Sequence, residues 1–266
     1  MSEHTGGILS VDGLRVDIAG SRILQGVGFT VPATGVTALM GRNGAGKTTT
    51  VRAVLGLLPD EGRVTGGTVT FDGDDITREP THLTVRRGIG YAPEDRGIFG
   101  QLTVAENLTL AERAGGTHHY GLVHELFPEL RERRAQRAGT LSGGQQQMVA
   151  IARTLLNDNR LIIVDEPTKG LAPRVVQEVT EVLRRAAGRV PMLLVEQNLA
   201  VIRELADTAV VLEAGKVVHT GPAADLLADR DLTTTLLGVG RAAHLRTEQG
   251  ARQDIPQNTT TEGSGR

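Results

Sequence analysis

Short apolar runs alternate with glycine-marked turns along the chain, and the period of the apolar positions changes from one segment to the next. Residues 8–18 and 23–31 read as two strands with Gly20-Ser21 as the turn signal between them, which predicts an antiparallel hairpin. A β-rich run, Gly35-Val36-Thr37-Ala38-Leu39-Met40, enters Gly41-Arg42-Asn43-Gly44-Ala45-Gly46 and then a helical stretch from Lys47 to about Leu57. Residues 66–71 and 88–92 predict further strands, whereas 103–111, 121–130 and 142–157 predict helices, so the middle third is mostly helical. Residues 160–165 and 191–196 are brief apolar runs that alternate with helical segments at 173–187 and 199–206, the pattern of buried strands in a parallel sheet. Residues 209–213 and 216–220 flank Ala214-Gly215 as a closing hairpin, and 222–237 predict a last helix. From about Gly240 apolar residues thin out, and 247–266 is mainly Gln, Thr, Gly and charges, which predicts a disordered tail.

Length and composition narrow the picture. A chain of 266 residues suits one large α/β domain or at most two small ones. With 29 Lys plus Arg against 31 Asp plus Glu, the formal charge of -2 implies no polyanion partner and no nucleic acid. Runs such as Leu161-Ile162-Ile163-Val164 fall far short of the roughly 18 apolar residues a membrane span needs. The N-terminus lacks a basic region and an apolar stretch, so no cleaved secretory signal is expected. The absence of cysteine excludes disulfides and thiol chemistry. Against an aromatic content of 2%, the 34 glycines direct attention to backbone-defined loops.

Gly41-Arg42-Asn43-Gly44-Ala45-Gly46-Lys47-Thr48 fits G-x-x-x-x-G-K-[ST] in a strand-to-helix context. Glycines let the backbone curl until several N–H groups face phosphate oxygens at a helix N-terminus. Lys47 is then placed to neutralise β- and γ-phosphates, with the Thr48 hydroxyl on Mg²⁺ and Thr49 following in the same turn. Leu161-Ile162-Ile163-Val164-Asp165-Glu166 is an apolar strand ending in two carboxylates. Alone it reads as a solvated strand end; beside a phosphate loop, Asp165 becomes a Mg²⁺ ligand and Glu166 a general base. Leu141-Ser142-Gly143-Gly144-Gln145 opens a helix with a serine and two glycines, which suits either a plain N-cap or a second anion site.

Together these motifs resemble the ATP-binding subunit of an ABC transporter over about residues 8–238, with Lys169-Gly170-Leu171-Ala172-Pro173 as the D-loop. The resemblance implies a P-loop NTPase of ABC type: a mainly parallel α/β core sheet, an N-terminal antiparallel β subdomain and a helical signature subdomain at about 95–157. It implies a flexible N-terminus at 1–7 and places the tail at 239–266. It also implies head-to-tail pairing with a second ATPase subunit, Leu141, Ser142, Gly143, Gly144 and Gln145 closing over the partner's ATP. Two departures stand out. Glu94 replaces the family's Q-loop glutamine, a carboxylate near the γ-phosphate and a further candidate metal ligand, and Gln197 replaces the switch histidine. Both, with Gly-Leu-Ala-Pro in the D-loop, are similar to the smaller ATPase subunit of high-affinity branched-chain amino acid importers. That branch implies two integral membrane permease subunits, an extracytoplasmic solute-binding protein acting indirectly, a heterodimeric ATPase pair and a place on the cytoplasmic face of the membrane. Urea, short amides or another small polar solute are alternative cargoes. A non-transport ABC ATPase acting on ribosomes or DNA usually carries two ATPase domains or long coiled coils, whereas here there is one phosphate loop and no sustained heptad. Ala19 stands where the family usually stacks an aromatic residue on adenine, so weak base stacking is expected.

Other features read as scaffold. His118-His119, without carboxylates at ligand spacing, predicts a solvated loop, and the arginines between Arg131 and Arg137 a solvated helix end. Phe99 and Leu102 fit either core positions or a groove receiving a permease helix.

Overall fold

The computed structural model describes residues 7–237; the stretches expected to be flexible at the N-terminus and disordered beyond 238 lie outside it, apart from Gly7. Strands β1 (Leu9–Ile18) and β2 (Ser21–Val31) form the expected hairpin, turning at Ala19 and Gly20. With β4 (Gly62–Phe71) and the two-residue β5 (Asp74–Asp75), they make an antiparallel sheet in the order β2-β1-β4-β5.

The second sheet has the order β10-β9-β3-β8-β7-β6. It comprises β3 (Val36–Gly41), β6 (Ile89–Ala92), β7 (Leu161–Asp165), β8 (Met192–Val195), β9 (Thr208–Glu213) and β10 (Lys216–Pro222). Every pairing is parallel except β10 with β9. Side chains alternate between its two faces. Leu161, Ile163, Leu193 and Val195 join one core, shared with the antiparallel sheet and α1 (Lys47–Val54). Ile162, Val164, Met192 and Leu194 join a second core under α6 (Gly143–Leu155) and α7 (Pro173–Ala187). Burial on both faces is why these strands read as continuous apolar runs. A third core packs α8 (Leu199–Leu205), α9 (Ala223–Ala228) and α10 (Arg230–Leu237) against β3 and β9.

Several expected boundaries shift for local reasons. The helix expected over 121–130 is two, α4 (Tyr120–Leu126) and α5 (Pro128–Glu132), because Phe127 precedes proline and leaves the helical region at φ −129°. The last helix divides likewise at Asp229, whose carboxylate accepts a bond from the Leu232 N–H at 2.8 Å. Helix α1 stops before Leu57 because Gly56 turns at φ +67°. Strand β4 starts earlier than expected because Gly62 pairs with Ile18 across the sheet. A short helix, α2 (Thr81–Arg86), had no amphipathic signal. The expected helix at 103–111 is α3 (Val104–Thr109), held by a capping box between Thr103 and Glu106.

One glycine in β3 is sterically required. Gly41 has φ +144°, and a Cβ there would meet the Leu212 carbonyl oxygen at 2.3 Å. Gly41→Ala should therefore lower stability by about 2 kcal/mol or more, combining backbone strain with the displacement of β9. Urea unfolding checks this; an unchanged midpoint would show that the strand relaxes freely.

Candidate active site

The site follows from strand register. Leu39 lies opposite Val195, Val195 opposite Asp165, and Ala92 opposite Val164, so the carboxyl ends of β3, β8, β7 and β6 share one edge. Loops leaving that edge converge, as in other open α/β sheets. The β3 loop carries Gly41 to Gly46, with Arg42, Asn43 and Gly44 exposed and Ala45 and Gly46 buried. Gly44 and Gly46 take φ values of +79° and +107°, conformations glycine adopts without strain. They turn the chain into α1, whose first residue is Lys47; Thr48 and Thr49 follow, half-buried.

Lys47 is 4% exposed, and its ammonium donates to the Gly41 and Arg42 carbonyls at 3.0 and 3.3 Å. The same nitrogen lies 3.6 Å from Glu166 Oε1. Glu166 leaves β7 with φ +46°, a left-handed conformation that costs a non-glycine residue about 1 kcal/mol or more. Its carboxylate is surrounded: Gln197 Nε2 donates to Oε1 at 2.6 Å, and Lys169 Nζ sits 3.1 Å from Oε2. Burial opposes ionisation of Glu166, but the bonds from Gln197 and Lys169 with the charges of Lys47 and Lys169 outweigh it and hold its pKa below the usual range.

Asp165 behaves in the opposite way. Burial, reinforced by the Glu166 and Glu94 charges, pushes its carboxyl up to about 6. Tyr91 O–H approaches Oδ2 at 3.5 Å, while Oδ1 is buried with no hydrogen-bond partner. An orphaned carboxylate oxygen near a hydroxyl-bearing phosphate loop fits a hard cation such as Mg²⁺, which favours oxygen donors and keeps several waters. Glu94 is already engaged, its Oε1 receiving the Lys169 ammonium at 2.5 Å.

Gln197 also donates to Asn43 Oδ1 at 2.9 Å, tying the β8 loop to the phosphate loop. Its placement depends on a residue not singled out from sequence. Glu196, 3% exposed, accepts from the Thr168 hydroxyl at 2.7 Å and from the Gln197 and Asn198 N–H groups at 2.7 and 2.9 Å. Lys169 and Tyr91 were also missed as site residues, although Lys169 lies within the D-loop motif.

Ser142 to Gln145 sit elsewhere. Ser142 is exposed and caps α6, accepting from Gln145 N–H at 3.3 Å while Gln145 Oε1 accepts from Ser142 N–H at 3.1 Å. Gly144 lets α6 approach α7, since a Cβ would meet Val175 Cγ1 at 2.3 Å. Among the described residues no hydrogen bond or ion pair joins Leu141, Ser142, Gly143, Gly144 or Gln145 to the phosphate loop. Phe99 is 50% exposed with the Arg153 guanidinium 5.4 Å from its ring centroid, so it is not a core residue. His118 and His119 are bonded to the Arg113 carbonyl and the Asp158 carboxylate, and among the described residues no group of three or more His, Cys, Asp and Glu forms a metal site by itself. Ala19 adopts φ +48° in the first hairpin turn.

Residues 24–169 match the ABC transporter family. The chain is 36% identical, over 87% of its length and 100% of the relative, to the high-affinity branched-chain amino acid transport ATP-binding protein BraG of Pseudomonas aeruginosa. It is 33% identical, over 82% of its length and 93% of the relative, to the probable branched-chain amino acid transport ATP-binding protein LivF of Archaeoglobus fulgidus. Its fold is shared with MJ1267, an ATP-binding cassette of an ABC transporter solved in an ADP conformation. That match has a TM-score of 0.74 at 23% identity, covering 89% of this chain and 100% of that one. The phosphate loop, the paired sheets and these similarities place the chain among the ATP-binding subunits of the ABC transporter family, and it is an ATPase.

Proposed function

We propose that the chain is the motor subunit of an importer for branched-chain amino acids, coupling ATP hydrolysis to movement of two separate permease subunits at the cytoplasmic face of the membrane. A second ABC ATPase subunit completes a heterodimer, and an extracytoplasmic solute-binding protein delivers cargo without touching this chain. Hydrolysis rests above all on one observation: buried Lys47 lies 3.6 Å from the Glu166 carboxylate at the edge where Asp165 keeps an unpartnered oxygen. The cargo rests on similarity to BraG and LivF. Another small polar solute is the alternative cargo, since the molybdenum import ATP-binding protein ModC of Rhodobacter capsulatus is 40% identical over 77% of the chain and 56% of that relative. Among the described residues no helix is long and apolar enough to cross a membrane, which fits a subunit held to the bilayer by permeases.

In the proposed mechanism, backbone N–H groups between Gly41 and Thr49 cradle the phosphates, and Lys47 moves from the Gly41 and Arg42 carbonyls onto β- and γ-oxygens. Thr48 and Asp165 would hold Mg²⁺, and Glu94 would join them only by releasing Lys169; the cation would supply charge neutralisation to the triphosphate. Glu166 orients the attacking water and takes its proton, while Gln197 fixes the carboxylate and links it to Asn43. Ser142 and Gly144 present a hydroxyl and N–H groups to the partner's nucleotide. The helical unit at about 95–157 carries that surface.

Gln197 cannot become cationic and Glu94 holds the Lys169 ammonium, so this site has weak positive support for the transition state. The purified chain alone should hydrolyse ATP slowly, and its co-encoded ATPase should raise turnover by about tenfold or more. Phosphate release from the chain, from the pair, and from the Glu94→Gln, Gln197→His variant tests the reading. Full activity of the unmodified chain alone would remove the case for an asymmetric pair.

A further inference from the structure

Lys169 joins one of the two departures, Glu94, to the general-base candidate Glu166. Its ammonium lies 2.5 Å from Glu94 Oε1 and 3.1 Å from Glu166 Oε2, joining the loop after β6 to the carboxylate at the end of β7. An exposed Lys–Glu pair contributes little by itself. Here one partner, Glu166, is 8% exposed and already carries bonds from Gln197 and the nearby charge of Lys47. Three carboxylates, Glu94, Asp165 and Glu166, thus face two ammonium groups, Lys47 and Lys169.

Arrival of a triphosphate changes that balance. Lys47 heads the phosphate-loop helix, and once recruited to β- and γ-oxygens it no longer neutralises Glu166 fully. Lys169 is then the remaining cation bound to both Glu94 and Glu166, and without it two carboxylates would face the γ-phosphate uncompensated. We propose that Lys169 is a positioning residue that clamps Glu94 to Glu166 and makes this carboxylate-rich site tolerant of a γ-phosphate, so that it sets the preference for ATP over ADP. The inference rests on the reading of Lys47 and Glu166 as the γ-phosphate end of the site. It also accounts for a carboxylate at position 94: Glu94 is half of an ion pair, and the pair presents little net charge to the nucleotide.

The test is equilibrium binding of ATP and of ADP to the full-length chain by isothermal titration, with Mg²⁺ present and with EDTA. Lys169→Met, which keeps the apolar stem, should weaken ATP binding by about tenfold and leave ADP binding within about twofold, because only ATP brings the γ charge. Lys169→Arg should bind both nucleotides as the parent does. Adding Glu94→Gln to Lys169→Met should restore ATP binding to within about threefold of the parent, since the uncompensated charge is gone. A purely structural lysine would weaken ATP and ADP alike and gain nothing from Glu94→Gln; that result, or unchanged ATP binding in Lys169→Met, would overturn the inference. Lys47→Ala serves as the control: if it binds ATP like the parent, the site assignment itself fails and the inference fails with it. If Lys47→Ala loses ATP while Lys169→Met behaves like the parent, the failure belongs to Lys169 alone.

Discussion

Replacing Lys47 with alanine should reduce ATP affinity by about 30-fold or more, the loss expected when one partner of a buried, hydrogen-bonded charge contact is removed. The side chain is 4% exposed, and its bonds to the Gly41 and Arg42 carbonyls hold the ammonium beside the loop whose N–H groups would meet the phosphates. No described cation replaces it within the glycine loop: Arg42 is exposed, and Lys169 is committed to Glu94 and Glu166. The fold should survive, because Glu166 keeps its bonds from Gln197 and Lys169. Titration calorimetry with Mg-ATP, beside a thermal melt, separates the two effects. An affinity within threefold of the parent would refute the role given to Lys47.

Glu166→Gln should act on turnover and spare binding. The amide oxygen can still accept from Gln197 Nε2, now 2.6 Å from Glu166 Oε1, and Lys169 can keep Glu94. What disappears is the basic oxygen that takes the proton from water, a loss of about 10²- to 10⁴-fold in rate. ATP should then persist in a closed dimer, visible as a stable larger species in gel filtration with ATP and absent with ADP. If Glu166→Gln and Lys47→Ala lost ATP binding equally, the division of labour between them would be wrong.

The phosphate loop was legible because its logic is local. A strand, five loop residues and a helix start occupy consecutive positions, and glycine, lysine and threonine have few alternative uses at that spacing. The bounds of α7, residues 173–187, were equally legible, with proline at the first position and an apolar stripe on one face. Failures came where local signals conflicted. The apolar period across 121–130 ran through Phe127-Pro128 unbroken, yet proline disfavours the helical conformation before it. The short α2 offered too few turns for any period to show.

Sequence by itself determined the family, the identity of the phosphate loop, and the two departures, Glu94 and Gln197, because each is a choice of residue at a motif position. Tertiary structure decided what those departures touch. Glu94 and Lys169 are 75 residues apart, and Asn43 and Gln197 154 apart, so no local period or propensity relates them. They meet because β3, β8, β7 and β6 lie side by side in parallel register, bringing four chain reversals to one edge. That order depends on which apolar faces bury best against the two flanking cores, a property of the whole sheet. A carboxylate that looks in sequence like a repulsive substitution is, in three dimensions, one end of an ion pair.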